Sequence, residues 1–136
     1  MKYCTFYVDN LYLGIEVTRV LEVIRYQELT PVPLAPEMVS GLINLRGQIL
    51  CAVDVRRRLE MEAREADASL PDNVVIQTPE GPLSLLVDEV GDVVEVEEDD
   101  IEPPPSSLVG PSRELIRGVC KMDDALMLLF DAEQVA

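Results

Sequence analysis

The chain has 136 residues, 48% of them apolar and only 4% aromatic, which is enough for one domain with an aliphatic core. Its formal net charge is −15, and residues 65–112 contain 13 acidic residues with neither Lys nor Arg. Such a surface repels phosphate groups and anionic headgroups, which argues against nucleic acid or a membrane surface as a partner.

The sequence lacks the residues that several classes of function require. The chain contains no His, and neither a G-x-S-x-G elbow nor a phosphate-binding glycine loop occurs. Cys4, Cys51 and Cys120 lie far apart without a CxxC pair, so we expect buried free thiols in a reducing cytosol. The N-terminus shows no signal pattern, and no apolar run approaches the ~18 residues of a membrane span. We therefore expect a soluble intracellular protein without catalytic residues, cofactor or metal.

Short β-rich segments separated by turn residues dominate the chain. Gly14 interrupts the second segment, which predicts either a bulge or a close backbone approach. The next segment is ambiguous, because Thr18 either caps one helical turn or a strand covers residues 22–26. The remaining pattern predicts strands at 3–8, 11–17, 42–45, 49–55, 74–78, 83–87, 88–96, 115–122 and 126–130.

Prolines and charged runs predict the connections between these strands. Residues 30–36 contain three prolines and predict an extended connection, after which Pro36 is suited to start a short helix. A second short helix is predicted over 54–61, with Asp54 as its cap. Gly91 is expected to bend the strand around it. Loops are predicted at 62–72, 97–105 and 106–112, and a helix start at 131–136.

The most informative stretch is 41–58, GLINLRGQILCAVDVRRR. It contains two apolar runs separated by Arg46-Gly47, which predicts a β-hairpin whose tip lies at these two residues. Three consecutive arginines follow in an otherwise acidic chain. We expect the tip and flanks of this hairpin to contact a partner.

About ten short strands with almost no helix predict an all-β sandwich or closed barrels. A single ten-stranded sheet in 136 residues would leave long exposed edges, whereas two small five-stranded barrels packed together hide them. The first and last hairpins are both strongly apolar and are suited to complete one common barrel.

Protein binding is the function that the residues favour. Glu22 and Arg46 are charged positions within apolar strands, and opposite charges on neighbouring strands can pair across a sheet. An exposed pair contributes only ~0–1 kcal/mol to stability, so positioning of a binding surface explains it better. The acidic run 97–100 lacks calcium-loop spacing and is a solvated loop. Two other classes stay open: an enzyme using paired carboxylates, and a sensor with a closed apolar pocket for a small ligand.

Five blocks of the sequence, in order, resemble the CheW family. Residues 30–59 match the family's Pro-rich approach, its G-x-x-N-L-R-G motif, an apolar strand and a V-D-L-R-like end. Cys51-Ala52 departs from the family's usual hydrophobic-Pro pair. The other matching blocks are LGIEVTRVLEVIRY (13–26), LLVDEVGDVVEV (85–96), IEPPP (101–105) and LIRGVCKMDDALMLLFDAEQV (115–135).

The resemblance implies a fold and a function. The fold is all-β, two intertwined five-stranded SH3-like barrels with a shared hydrophobic seam and short helices, forming a single CheW-like domain over 1–136. The function is that of a non-enzymatic scaffold that couples chemoreceptors to the CheA histidine kinase, in the cytoplasm at receptor arrays near the inner membrane. One barrel would dock the kinase's regulatory domain, itself CheW-like, and the seam would take the receptor's cytoplasmic tip. The alternative is an adaptor of a non-flagellar pathway that controls pili or gene expression.

The resemblance also implies the partner-binding residues. Glu22 and Arg46 match the family's functionally important charged pair, and Gly41 matches the glycine before N-L-R. The complete predicted partner-binding set is Val20, Glu22, Gly41, Asn44, Leu45, Arg46 and Gly47.

Overall fold

The computed structural model describes residues 1–34, 39–61, 70–107, 110–123 and 125–134. These residues form eleven β-strands in two sheets, together with two short α-helices, α1 (Val55–Arg58) and α2 (Pro111–Leu115). The strands are β1 (Lys2–Val8), β2 (Leu11–Glu16), β3 (Val20–Ile24), β4 (Val39–Leu45), β5 (Gln48–Asp54), β6 (Asp72–Thr78), β7 (Gly81–Val87), β8 (Glu89–Glu95), β9 (Ile101–Glu102), β10 (Ile116–Lys121) and β11 (Leu126–Phe130).

The first sheet has six strands in the order β8-β1-β2-β11-β10-β9. The first and last hairpins both lie in it, because β2 pairs in parallel with β11 and joins the two ends of the chain. Gly14 faces Met127 across this junction, where an added Cβ would lie 2.8 Å from the Met127 sulfur. The β1–β2 register passes through Gly14 without a shift, so there is no bulge in this pairing, and the close neighbour of Gly14 is a side chain and not the backbone that was expected. The two-residue strand β9 brings this sheet to one strand more than the expected five.

The second sheet has five strands in the order β3-β6-β7-β5-β4. Its β4–β5 hairpin confirms the predicted turn, since Leu45 pairs with Gln48 and leaves Arg46 and Gly47 as the two loop residues. Both loop residues have positive φ, 51° and 88°, as a two-residue turn that follows the sheet twist requires. The hairpin tip thus projects from the end of the sheet.

The second sheet curls until its two edge strands approach each other. The segment after β3 returns to β4, where Thr30 and Leu42 exchange two backbone hydrogen bonds of 2.9 and 2.8 Å. Gly41 makes this closure possible: its φ is +154°, and a Cβ there would lie 2.7 Å from the Thr30 carbonyl oxygen. The proline-rich connection predicted over 30–36 therefore contributes one bridge to the sheet.

The described residues form three apolar clusters. The largest, called the seam cluster here, draws side chains from both sheets, including Phe6 and Ile15 from the first and Val74 and Leu85 from the second. Two smaller clusters each draw on one sheet: Tyr3, Met127 and their neighbours in the first, Ile43, Leu50 and theirs in the second. The two sheets therefore share one core, and each sheet also has a smaller core of its own.

Some local predictions need correction. Thr18 does not cap a helix; it lies inside a 3-10 turn, Val17–Arg19, and β3 follows at once, so the turn and the strand both occur. Helix α2 begins at Pro111, inside the predicted loop 106–112, and Leu115 ends this helix instead of starting a strand. Both errors arise because single helical turns carry no apolar period for a sequence pattern to detect.

The connections are described only in part. Residues 36–38 of the predicted helix and 62–69 of the predicted loop lie outside the described residues, while Val39 and Asp72 belong to strands. The predicted loop 97–105 contains a 3-10 turn, Glu98–Asp100, and strand β9. The predicted helix start after residue 131 is a 3-10 turn, Ala132–Gln134.

Substituting Gly41 with Ala will lower the free energy of unfolding by about 2–3 kcal/mol, because the positive φ and the Thr30 carbonyl both oppose a Cβ. Gly47→Ala is the matched control, since Gly47 also has positive φ but has no atom within 4 Å of the added Cβ. We expect Gly47→Ala to lose only about 1 kcal/mol. Urea denaturation measures both; equal losses would contradict the closure at Thr30.

Candidate docking surface on the second barrel

The two charged residues singled out by the sequence meet in the structure. Arg46 donates a hydrogen bond from Nη2 to Oε1 of Glu22, which makes an ion pair between the hairpin tip and β3. Strands β3 and β4 are the two edges of the second sheet, not hydrogen-bonded neighbours as the pattern suggested. The pair therefore spans the gap where the sheet closes on itself.

The exposure of the pair limits its contribution to the fold. The Arg46 side chain is 71% exposed and that of Glu22 is 27% exposed. An ion pair open to solvent contributes ~0–1 kcal/mol, because water and salt screen it and two long side chains lose freedom. The backbone bonds at Thr30 and the buried cluster behind them hold the closure, so the pair is available to a partner with little loss of stability.

The rest of the predicted set divides into surface and support residues. Asn44 and Gly47 lie at the surface beside Arg46, and Asn44 Oδ1 accepts a 2.9 Å hydrogen bond from the Gly47 amide, which orders the tip. Gly41 is buried at the closure. The half-buried side chain of Leu45 packs on the second sheet's cluster, and that of Val20 packs on the seam cluster. That these residues bind a partner stays a prediction.

Sequence reasoning did not identify the exposed apolar side chains on the strands that carry the ion pair. Leu21 and Val23 flank Glu22 in β3 and are 55% and 43% exposed. Ile49, 59% exposed, lies opposite Asn44 in the hairpin. Grouped exposed apolar side chains around a polar centre are typical of protein-docking surfaces. The signal was present in β3, whose sequence VLEVI is apolar on both faces of the strand.

A cleft continues this surface along β3. Its volume is about 530 Å³, and it opens next to the exposed side chain of Val23. Apolar side chains and two charged ones form its walls, which suits a protein side chain with an apolar body. The lining residues are Val23, Ile24, Arg25, Tyr26, Leu70 and Asp72.

The arginine run that follows the hairpin makes bonds within the chain. Asp54 caps α1 as predicted, accepting a 3.0 Å hydrogen bond from the Arg56 amide. Arg56 also pairs with Asp88, and this hydrogen bond raises the pKa of Arg56 above its usual value. Arg58 donates to the Gln134 carbonyl oxygen at 3.0 Å. Because these side chains have partners within the protein, Arg46 is the better candidate for a contact to another protein.

The thiols are free, as expected, but they differ in solvent exposure. Cys4 and Cys120 are buried and Cys51 is half-buried, and burial raises the pKa of all three thiols. In the part of the chain that the structure describes, no group of three or more His, Cys, Asp or Glu side chains is arranged to hold a metal ion. The same residues include no helix that is long and apolar enough to cross a membrane.

The fold and this surface define a class, an all-β docking module of two packed barrels. A family model described as CheW-like domain matches residues 2–136, and the chain belongs to this family, as the sequence blocks predicted. The chain is similar to the chemotaxis protein CheW of Rhizobium meliloti, at 33% identity over 96% of this chain and 83% of that one. The CheW of Treponema pallidum is 26% identical, over 96% of this chain and 79% of its own length.

A solved structure shows the same architecture. The crystal structure of the scaffolding protein TtCheW from Thermoanaerobacter tengcongensis superimposes with a TM-score of 0.89, at 27% identity, covering 98% of this chain and 90% of that one. The predicted fold class, two SH3-like barrels, is thereby confirmed. The family and this likeness also support the predicted class of function, a scaffold of the chemotaxis type and not an enzyme.

Thiol labelling tests the burial of the cysteines. At neutral pH in the folded protein we expect Cys51 alone to react, and slowly, because its raised pKa leaves little thiolate. Its rate should rise about tenfold per pH unit up to that pKa, while Cys4 and Cys120 react only after unfolding. Absorbance with a disulfide reagent, followed by peptide mapping, measures this. Rapid labelling of two or more thiols in the folded protein would contradict the burial.

Proposed function

We propose that this chain is a scaffold that couples a CheA-type histidine kinase to the cytoplasmic tip of chemoreceptors. Family membership and the similarity to a scaffolding protein support the scaffold class. The observation that carries the coupling role is the ion pair between Glu22 in β3 and Arg46 at the hairpin tip, on a barrel that also exposes Leu21, Val23 and Ile49. We propose that the protein acts in the cytoplasm, beside receptor arrays at the inner membrane.

The kinase's regulatory domain is the proposed occupant of the second barrel's tip. The resemblance implies that this domain is itself CheW-like, so it would offer a comparable hairpin and edge. Apolar side chains that are exposed in the free chain, such as Leu21 and Ile49, would contribute affinity when covered. The charged pair on the same barrel would set the orientation, because opposed charges favour one arrangement over others.

The receptor is the proposed occupant of the seam between the barrels. Half-buried apolar side chains border the seam cluster, among them Leu11, Val17, Val20 and Leu128. A helical hairpin could place its apolar face against this border, as amphipathic helices do in grooves. Because the seam side chains come from both sheets, we propose that the chain acts as one unit that transmits the receptor's state to the kinase without chemistry of its own.

Calorimetry against the regulatory domain of a CheA-type kinase from the same source tests the proposal. Arg46→Glu should weaken binding at least about tenfold, or ~1.4 kcal/mol, because it places a second negative charge beside Glu22. The melting transition should change little, since the pair is exposed. Lys121→Glu is the matched control: it makes the same charge change on the first sheet, at an 80% exposed side chain, and should leave binding unchanged.

A second variant examines whether the two residues act together. Glu22→Arg combined with Arg46→Glu should recover part of the binding that Arg46→Glu loses, because the pair can form again with its charges exchanged. No recovery would show that the two residues contact the partner separately. Absence of wild-type binding at high micromolar concentration would contradict the proposed function, and unfolding of Arg46→Glu would show that the tip is structural.

A further inference from the structure

The chain crosses between its two sheets twice. It leaves the first sheet after β2, through the 3-10 turn Val17–Arg19, and returns to it at Asp88, between β7 and β8. All five strands of the second sheet, β3 to β7, and the hairpin tip lie between these two crossings in the sequence. The groups that hold the crossings therefore influence how one barrel is oriented on the other.

At the second crossing, Asp88 is bound from both sheets. Its backbone N–H donates to the Tyr7 carbonyl oxygen at 2.9 Å, and its Oδ2 accepts from the Asp9 amide at 2.5 Å, both in the first hairpin. From the second barrel, Arg56 donates through Nε to Oδ1 at 3.0 Å and through Nη2 to Oδ2 at 2.5 Å. The two paired side chains are only 14% and 17% exposed.

The first crossing is held differently. Arg19, in the 3-10 turn of this crossing, pairs with Glu133, and the two side chains are 38% and 51% exposed. The neighbouring pair Arg117–Glu16, 50% and 28% exposed, joins two strands of the first sheet. Solvent and salt screen such pairs, so they restrain the crossing weakly. The Arg56–Asp88 pair is shielded and makes two parallel bonds, the arrangement in which the guanidinium group fixes geometry as well as charge.

The apolar seam holds the barrels together, and the close packing of its side chains restricts their angle. Hydrophobic attraction depends on the area removed from water and has no preferred direction. A two-bond contact between planar groups does have a direction, and it tolerates little rotation. Arg56 lies in α1, which follows β5 directly, so a restraint on Arg56 is also a restraint on the hairpin.

We infer that the Arg56–Asp88 pair is a clamp that fixes the orientation of the second barrel, and hence of the hairpin tip, relative to the six-stranded sheet. Asp88 occupies the crossing itself and binds the first hairpin, while Arg56 belongs to the hairpin's own barrel. The clamp is a property of the folded chain alone and does not depend on which partner the protein binds.

Residual dipolar couplings of the isolated protein test the clamp. Arg56→Lys keeps the charge but loses the two-bond geometry, and Asp88→Asn keeps the shape but loses the charge. In the wild type, one alignment tensor should fit the amides of both sheets. In either variant the two sheets should need different tensors. Arg19→Lys is the matched control at the exposed first crossing and should keep a single tensor.

Amide exchange supplies the second measurement. In both variants the exchange rates of the Asp9 and Asp88 amides should rise about tenfold or more, whereas that of the Val75 amide, in β6, should change less than about threefold. A single tensor in both variants, or a uniform rise at all amides, would show that the pair adds stability and does not set orientation. Failure of both variants to fold would overturn the inference in the same way.

Discussion

The seam cluster is the interaction on which the rest of the structure depends. At least eighteen buried side chains from both sheets meet in it, and at about 1.5–3 kcal/mol for each large apolar side chain it outweighs any exposed ion pair many times. Each sheet contributes buried side chains to the seam, so the two sheets stabilise each other. The surface charges are therefore not needed to stabilise the fold and are available for recognition.

In the closed second barrel, buried contacts stabilise the fold and surface charges remain available for recognition. The Thr30–Leu42 backbone bonds and the space that Gly41 leaves bring the sheet's two edges together. Glu22 and Arg46 then form an ion pair across the closed gap. A buried backbone contact thus positions a surface pair that contributes little to stability, which is the arrangement expected of a recognition site on a rigid support.

Local chemistry made much of this fold predictable. The Arg46-Gly47 turn, the Asp54 cap and the first and last hairpins follow from turn residues, capping preferences and alternating patterns. Contacts distant in sequence do not. Nothing local indicates that β3 and β4 are opposite edges brought together, or that Arg56 reaches Asp88, 32 residues later. Glu22 and Arg46 stood out as charged residues within apolar strands, and the resemblance to a family then matched them to a functional pair.

The most direct test of the proposed docking surface is amide hydrogen exchange of the chain, free and in complex with the regulatory domain of a CheA-type kinase. The surface proposed here predicts new protection in β3 and in the tip between Asn44 and Gln48, with exchange in the first and last hairpins nearly unchanged. Protection confined to the six-stranded sheet, with none in β3 or at the tip, would contradict it.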